Sequence, residues 1–199
     1  MSSRERVLQT ALKAFIERGY GGVSMKEIAD GVAMKAASLY YYFPDKQALF
    51  EACAELFFAR WYDWMAALRL EDADLRGVIR AMCQSLGTDS EIIQYLYGAH
   101  SETGQYRLIL DILTVCPQVM ESMKGPNGQF FTLLSQKVEQ AKANGEIRHG
   151  VSADTVYYLL SCLLEGSNIM RFTDGGLDAA AEGEQIADII WYGIRAADA

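Results

Sequence analysis

The chain has 199 residues, of which 51% are hydrophobic, so it is long enough to bury a sizeable core in one or two domains. Its longest strongly apolar run, residues 156–164, is well short of the roughly 20 residues of a membrane-spanning helix, which argues against a helical membrane protein. The charged N-terminus, with Arg4, Glu5 and Arg6, differs from a secretion signal, and we expect a cytoplasmic protein.

The first predicted helix is amphipathic and ends at Gly19. Its apolar residues recur at the three- and four-residue spacing of an α-helix, and they are Val7, Leu8, Ala11, Leu12, Phe15 and Ile16. The second predicted helix begins with a capping box, in which Ser24 accepts a hydrogen bond from the first turn and Glu27 reaches back to the N–H of Ser24. The apolar side of the second helix consists of Met25, Ile28, Ala29 and Val32.

A third, short helix is predicted just before Pro44, which ends it. Leu39 and Phe43 are spaced to hold this helix against the second one. Three consecutive tyrosines, residues 40–42, would leave three hydroxyls to satisfy inside a core, whereas a helix in a DNA groove points such hydroxyls at phosphate oxygens. The two short helices are typical of a helix-turn-helix.

The spacing of these residues resembles the DNA-binding domain of the tetracycline-repressor (TetR) family of bacterial transcription regulators. The matching positions show no insertion or deletion, and they are Ile28, Ala29, Leu39, Tyr40, Phe43 and Lys46, preceded by residues 15–20. The resemblance implies an all-α fold, with a three-helix DNA-binding head at residues 1–47 and a helical effector-binding and dimerisation body at residues 48–199. It also implies a homodimer that binds a palindromic double-stranded DNA operator and is released by a small molecule.

The resemblance further implies which residues of the head contact DNA. The positions near base edges are Lys26, Lys35, Ala36, Ala37 and Ser38, and those suited to the phosphate backbone are Ser24, Tyr40, Tyr41, Tyr42 and Lys46. One position departs from the family pattern, because Ala33 stands where a glycine usually precedes the recognition helix. If Ala33 has a positive φ, its Cβ adds a strain of about 1 kcal/mol.

The charge distribution is compatible with a DNA-binding head on an acidic body. The formal net charge is −8, but residues 1–47 hold seven Lys or Arg and five Asp or Glu, which gives +2. The remainder holds 11 bases and 21 acids, which gives −10. This separation of charge orients the head toward DNA. Because the positive excess of the head is small, we expect that two heads are needed for tight binding.

The rest of the chain is predicted to be helical throughout. A long fourth helix is expected from near Asp45 to about Leu70, and further helices are expected at about 73–87, 90–101, 103–123, 127–144, 153–172 and 182–197. Breaks are expected at Gly87, Pro117, Gly125-Pro126, Asn144-Gly145 and Gly175-Gly176. In the resembled family such helices surround an effector cavity, whose expected lining is Trp61, Trp64, Met65, Met82, Leu86, Tyr95, Tyr97, His100, Leu110, Leu113 and Cys116. Tyrosine and tryptophan side chains suit a mostly apolar or aromatic ligand, and a cationic ligand is also possible. The alternative is that these residues form an ordinary core without a cavity.

The helices at 127–144 and 153–172 carry apolar stripes, and the second is hydrophobic on more than one side. We expect these two helices to form the homodimer interface, although a fully buried helix of a monomer would show the same pattern. The operator sequence, the effector and the choice between repressor and activator are left open by the sequence.

An all-helical enzyme or metal-binding protein is the competing hypothesis. Glu146 and His149 form one E-x-x-H pattern, but a di-iron site needs two such patterns and two further glutamates. The sequence has two histidines and no Gly-rich phosphate loop, so we expect no catalytic residue, metal or cofactor.

The four cysteines include no C-x-x-C pair, and they are Cys53, Cys83, Cys116 and Cys162. We expect reduced thiols in the core, with a redox-sensing pair as the alternative.

Overall fold

The computed structural model describes residues 2–86, 97–99, 103–122, 124–174 and 179–196. Within these ranges the chain is helical, apart from loops and one isolated antiparallel bridge between Ile147 and Arg195, so the predicted all-α class is confirmed. The helices α1 to α10 are Ser3–Arg18, Met25–Gly31, Ala36–Tyr42, Lys46–Ala67, Leu75–Gln84, Gly104–Val115, Val119–Ser122, Lys124–Ala143, Ala153–Asp174 and Ala179–Ile194. A short 3₁₀ turn, Leu70–Asp72, follows α4.

Some predicted helix boundaries are wrong. The break expected at Gly125 and Pro126 does not occur, because α8 begins at Lys124 and contains both residues in its first turn. Proline is compatible with that position, since the first N–H groups of a helix have no intrahelical partner. The stretch expected to be helical at 103–123 is interrupted after Val115 and continues as the separate helix α7, in agreement with the break expected at Pro117. The helix expected at 90–101 lies largely outside the described residues.

Contacts divide the chain into two compact units. The first unit is Met1–Trp64 with Ser90–Lys124, and the second is Met65–Asp89 with Gly125–Ala199. Helix α6 thus packs with α1 in the first unit, although it follows residue 47 in the sequence. The predicted boundary between residues 47 and 48 separates a DNA-binding head from an effector-binding body. It does not coincide with the division into packed units, and it stays a prediction.

The core of the first unit is built around α1. The six apolar residues predicted to face inward on α1 are all buried, as are the four predicted on the second helix and both anchors of α3, Leu39 and Phe43. Where α1 ends, the rings of Phe15 and Tyr20 both lie 4.9 Å from the ring of Phe50 in α4, measured between centroids. Aromatic edge contacts of this kind hold the start of α4 against α1.

The junction after α1 is closed by two side chains from α6. Gly19 has φ +74° and ψ 168°, a conformation essentially restricted to glycine. This turn lets the Tyr20 N–H donate to the Asp111 carboxylate at 2.6 Å, while the Arg107 guanidinium donates to the Glu17 carbonyl at 3.2 Å. An arginine at the C-terminal carbonyls of a helix is also favoured by the helix dipole. The end of α1 is therefore fixed by residues about 90 positions away in the sequence.

The second unit is organised around α5, which contacts both α9 and α10. The buried side of α5 consists of Leu75, Val78, Ile79, Met82 and Cys83. Helix α10 approaches α5 closely at Gly183, where an added Cβ would lie 2.5 Å from the Cys83 carbonyl oxygen. Two exposed ion pairs between the same helices, Arg76–Asp188 at 2.9 Å and Arg80–Glu184 at 2.8 Å, add little stability individually.

The turn between α2 and α3 contains Ala33, at the position where the resembled family usually has glycine. Ala33 has φ +54°, which confirms a positive φ at this position. The turn is held by the Met34 N–H, which donates to the Ala29 carbonyl at 2.8 Å, and by the Arg6 guanidinium, which donates to the Val32 carbonyl at 3.0 Å. The position of α3 therefore depends on a strained alanine that is fixed from both sides.

Replacing Gly19 by alanine should lower the free energy of unfolding by about 2 kcal/mol, because its backbone conformation is costly for any residue with a Cβ. The new Cβ would also lie 2.6 Å from Arg107 Cδ, which would disturb the bond to Glu17. The matched control is Gly21→Ala, whose Cβ would meet nothing within 4 Å. Urea unfolding of both variants checks this, and an equal effect of the two substitutions would contradict the role of the Gly19 backbone.

Ala33→Gly should raise the free energy of unfolding by about 0.5–1 kcal/mol, because relief of the left-handed strain exceeds the entropy that glycine adds to the unfolded chain. The control is Ala59→Gly, an exposed residue inside α4, where the same substitution should cost about 1 kcal/mol. Thermal unfolding of both variants gives opposite signs if the turn is strained. A lower Tm for both would show that Ala33 is unstrained.

Candidate nucleic-acid interface

Most of the surface of α3 is exposed, although its centre is anchored in the core. Leu39 is fully buried, whereas Tyr40 is 50% exposed and Tyr41 is 86% exposed. The four residues that precede Leu39 are also exposed, and they are Lys35, Ala36, Ala37 and Ser38. A phenol ring held in water on a short helix is unfavourable for folding alone, so this face is suited to a partner.

Tyr42 differs from its two neighbours. It is half-buried and packs against the core of the first unit, with its ring edge-on to Tyr41 at a centroid distance of 5.5 Å. The structure therefore presents Tyr40 and Tyr41 as the accessible phenols of the predicted contact set. Tyr42 contributes to the packing of α3.

The start of α2 is fixed by the predicted capping box. The Glu27 N–H donates to Ser24 Oγ at 3.2 Å, and the Ser24 N–H donates to the Glu27 carboxylate at 2.8 Å. The Ser24 hydroxyl itself donates to Glu27 at 2.7 Å, so a phosphate at this point would compete with an internal bond. Lys26, the next predicted contact, is exposed.

Lys46 is the first residue of α4, and its ammonium lies 4.2 Å from the centroid of the Tyr20 ring. This cation–π contact restricts the long side chain and keeps the charge close to the end of α1. Lys46 is half-buried, so it differs from the freely exposed Lys26 and Lys35. Its contact with phosphate stays a prediction.

The cations of the head fall into two groups. Lys13 pairs with Glu17 at 3.9 Å, and Arg18 pairs with Glu27 at 2.8 Å. Among the residues that the structure describes, no acid lies within 4.0 Å of Lys26 or Lys35. Lys26 and Lys35, near α2 and α3, therefore belong to the positive charge of the head that internal acids do not neutralise, and this charge favours a polyanion.

Sequence patterns did not identify Arg6 as a functional residue. Its bond to the Val32 carbonyl fixes the turn from which α3 begins, so Arg6 positions the exposed face without belonging to it. The contact joins residues 26 positions apart, and no local motif in the sequence indicates it.

The predicted effector-lining residues occupy different environments. In the first unit, Tyr97 and Cys116 are buried in the core, Trp61 is half-buried, and Leu110 and Leu113 are 63% and 50% exposed on α6. Such exposure does not match side chains that line an internal cavity. In the second unit, Met82 and Leu86 are buried and Met65 packs against them. Tyr95, His100 and the side chain of Trp64 lie outside the described part of the chain.

The Tyr97 phenol is already engaged inside the first unit. Its hydroxyl donates to the Phe57 carbonyl at 2.7 Å, and its ring stacks on Phe57 at a centroid distance of 4.7 Å. Burial raises the pKa of Tyr97 well above its usual value. The contact explains the position of Tyr97 without a ligand, so it favours a structural role.

The cysteines give no sign of a reactive pair. Cys53, Cys83 and Cys116 are buried, and burial raises the pKa of both Cys83 and Cys116 to about 11 and that of Cys53 further. These three residues therefore remain protonated thiols, which react slowly. Cys162, in α9, is exposed.

The metal hypothesis gains no support from the described residues. Glu146 and His149 lie beyond the end of α8, around the bridge at Ile147, rather than on a helix facing a second such pair. No group of three or more His, Cys, Asp or Glu that could hold a metal ion occurs in this part of the chain. Among the same residues, no helix combines the length and apolarity needed to cross a membrane.

The capping box also makes a prediction about pH. The bond from the Ser24 hydroxyl and then the pairing with Arg18 lower the pKa of Glu27 from 4.5 to about 2. Because the pKa is lower in the folded state, this contribution to stability is complete above pH 4.5 and is lost as the pH falls toward 2.

An NMR titration of the Glu27 carboxyl should therefore show a midpoint far below 4.5, and Ser24→Ala should move the midpoint upward. The difference in Tm between the parent and Glu27→Gln should shrink as the pH falls from 5 to 2. A midpoint near 4.5 in the parent would show that the capping box is not maintained in solution.

Comparisons with known proteins agree with this arrangement. Residues 7–53 match the family described as bacterial regulatory proteins, tetR family. The transcriptional repressor NicS of Pseudomonas putida is 23% identical over 176 residues, which cover 86% of this chain and 78% of NicS.

Two solved structures share the fold over nearly the whole chain. A TetR-family transcriptional regulator from Cytophaga hutchinsonii superposes with a TM-score of 0.76 at 12% identity, covering 98% of this chain and 96% of that one. The ketosteroid transcriptional regulator KstR2 of Mycobacterium tuberculosis gives a TM-score of 0.60 at 21% identity, with the same coverage.

The family match falls on the segment that carries α1, α2, α3 and the start of α4, which is also the segment with the exposed and positively charged face. The relatives are transcription regulators rather than enzymes. Residues 7–53 therefore form a DNA-binding domain of the tetR family of bacterial regulatory proteins, and the chain is a DNA-binding transcription regulator.

Proposed function

We propose that this protein is a repressor that binds a palindromic operator as a homodimer and is released from it by a small-molecule effector. Regulators of this family bind DNA operators and small molecules, usually as dimers, and the related NicS is a repressor. The observation that carries the proposal is the face of α3, where Tyr40 and Tyr41 are exposed on a helix whose Leu39 is fully buried.

In the proposed complex, α3 enters the major groove. The small side chains of Ala36, Ala37 and Ser38 allow the helix to approach base edges, with methyl contacts to thymine and hydroxyl contacts to either base type. Lys26 and Lys35 supply further contacts near the bases. The hydroxyls of Tyr40 and Tyr41, with Ser24 and Lys46, would bind phosphates and set the orientation of the head.

A second copy of the chain is proposed to cover an apolar surface on α9 and α10. Large apolar side chains are exposed on both helices, and they are Tyr158, Leu159, Ile169 and Met170 on α9 and Ile189 and Tyr192 on α10. Residues 158, 162, 166 and 169 recur at helical spacing, so they share one side of α9. A helix side with several exposed large apolar residues is typical of a protein–protein interface.

The second interface helix proposed here is α10 rather than α8, which the sequence favoured. The described outward positions of α8 are polar, and they include Gln129, Thr132, Gln136, Glu139 and Gln140. Buried polar groups would need partners across an interface. The apolar residues of α8, such as Leu134 and Val138, are fully buried within their own unit.

The effector is proposed to bind in the body, at residues 48–199, and to be mostly apolar or aromatic. KstR2, which shares the fold, is a ketosteroid regulator. Release follows if the bound effector changes the separation of the two heads, because half-sites about 34 Å apart tolerate little change. Effector and operator must then weaken each other by the same factor. The exposed Leu110 and Leu113 are the least suitable members of the predicted lining.

The experiment that tests the function is selection of fragments of the source genome by the purified protein. We expect enrichment of an inverted repeat whose half-sites are one helical turn apart. Ala37→Asp, on the exposed face of α3, should abolish enrichment through charge repulsion. The matched control is Ala59→Asp, an exposed alanine on α4, which should select the same fragments. Absence of enrichment by a folded parent protein would overturn the proposal.

The proposed dimer can be checked with the native thiol of Cys162. The parent should sediment as two chains, and its Cys162 should react slowly with a maleimide because the partner covers it. Tyr158→Asp combined with Ile169→Asp should give one chain and a fast reaction, since two carboxylates would have to be buried in the interface. Leu110→Asp, an equally exposed apolar residue on α6, should remain dimeric. Fast labelling of a dimeric parent would place the interface elsewhere.

A further inference from the structure

Arg4, in the first turn of α1, was not among the residues expected to contact DNA. Its guanidinium carbon lies 5.1 Å from the centroid of the Phe43 ring. Phe43 is the residue that directly follows α3, and it is buried. A cation–π contact therefore holds the exposed Arg4 charge beside the C-terminal end of the helix that presents Tyr40 and Tyr41.

The other arginines of the head have protein partners that explain their positions. Arg6 donates to the Val32 carbonyl, and Arg18 pairs with Glu27. Within the described residues, no N–H group of Arg4 donates to a protein acceptor and no acid lies within 4.0 Å of it. A guanidinium carries five N–H donors, so Arg4 retains its full capacity for an anionic partner.

We propose that Arg4 binds a backbone phosphate at the edge of the groove that α3 enters. This inference depends on the proposed binding of DNA by the head. Arginine suits the role because its planar guanidinium bonds to two phosphate oxygens at once and packs on an aromatic ring at the same time. The Phe43 ring restricts the side chain before DNA arrives, which reduces the entropy lost on binding.

Arg4 is one of the seven basic residues that give the head its small positive excess. Each dimer would carry two Arg4 residues and would neutralise two more phosphates. The slope of log affinity against log salt would then be steeper by about 1.8, because each phosphate contact contributes about 0.9. The effect is independent of base sequence, so a duplex of random sequence reports it as well as an operator.

The test measures affinity for a random-sequence 40-base-pair duplex and for a selected operator fragment, by fluorescence anisotropy from 50 to 200 mM salt. Arg4→Gln should weaken binding to both duplexes and flatten both slopes by about 1.8, so that the parent loses about 12-fold more affinity than the variant over this range. Arg4→Lys should restore most of the slope, since the charge is retained. Lys13→Gln is the matched control, because Lys13 on the same helix already pairs with Glu17.

The outcomes are distinguishable. Weaker binding by Arg4→Gln with the slope of the parent, together with a lower Tm, would show that Arg4 only stabilises the end of α3 and would overturn the inference. Unchanged affinity and slope would overturn it as well. If the folded parent binds neither duplex at any salt concentration, the proposed function fails and the role of Arg4 fails with it.

Discussion

The proposed DNA-binding face depends on a helix that cannot be stable by itself. Helix α3 has seven residues, far fewer than the roughly 12–15 that an isolated helix needs in water. Its stability therefore comes from tertiary contacts, chiefly the burial of Leu39 within the helix and of Phe43 directly after it. Because so few residues anchor α3, its other side chains can be exposed, and their chemistry can vary without unfolding the head.

The same constraint explains why the turn before α3 tolerates an unfavourable alanine. Ala33 has φ +54°, and the bonds made by Met34 and Arg6 fix the backbone on either side of it. A different turn would rotate α3 about Leu39 and move Tyr40 and Tyr41 to another side. The strain of about 1 kcal/mol is small compared with the loss of burial that such a rotation would cause.

The head could be predicted from the sequence because its signals are local. The capping box at Ser24 and Glu27 lies within four residues, and the apolar spacing of α1 is visible in a single window. The positive φ of Ala33 was suggested by family position. The junction at Gly19 and Tyr20 could not be predicted, because its partners Arg107 and Asp111 lie on a distant helix and carry no motif.

The body was less predictable for a related reason. An apolar stripe shows that a helix side is buried, but it does not show whether a core, a ligand or a second chain covers it. Leu110 and Leu113 were predicted to line a cavity but are exposed. Tyr97 was predicted to contact a ligand, but its hydroxyl donates a hydrogen bond to the Phe57 carbonyl. The proposed interface illustrates the same ambiguity, since the apolar residues of α8 pack inward while those of α9 and α10 include exposed members.

Because the charge excess of the head is small, the proposed dimer would be a requirement for tight DNA binding. Two cations of the head are neutralised by internal pairs, so we expect a single head to make few phosphate contacts and to bind weakly at physiological salt. Joining two heads makes the second contact intramolecular, which raises the overall affinity by orders of magnitude only when the spacing of the heads matches the half-sites. In the proposed mechanism an effector would need to disturb only that spacing, because a mismatch removes the gain from linkage while each α3 remains intact.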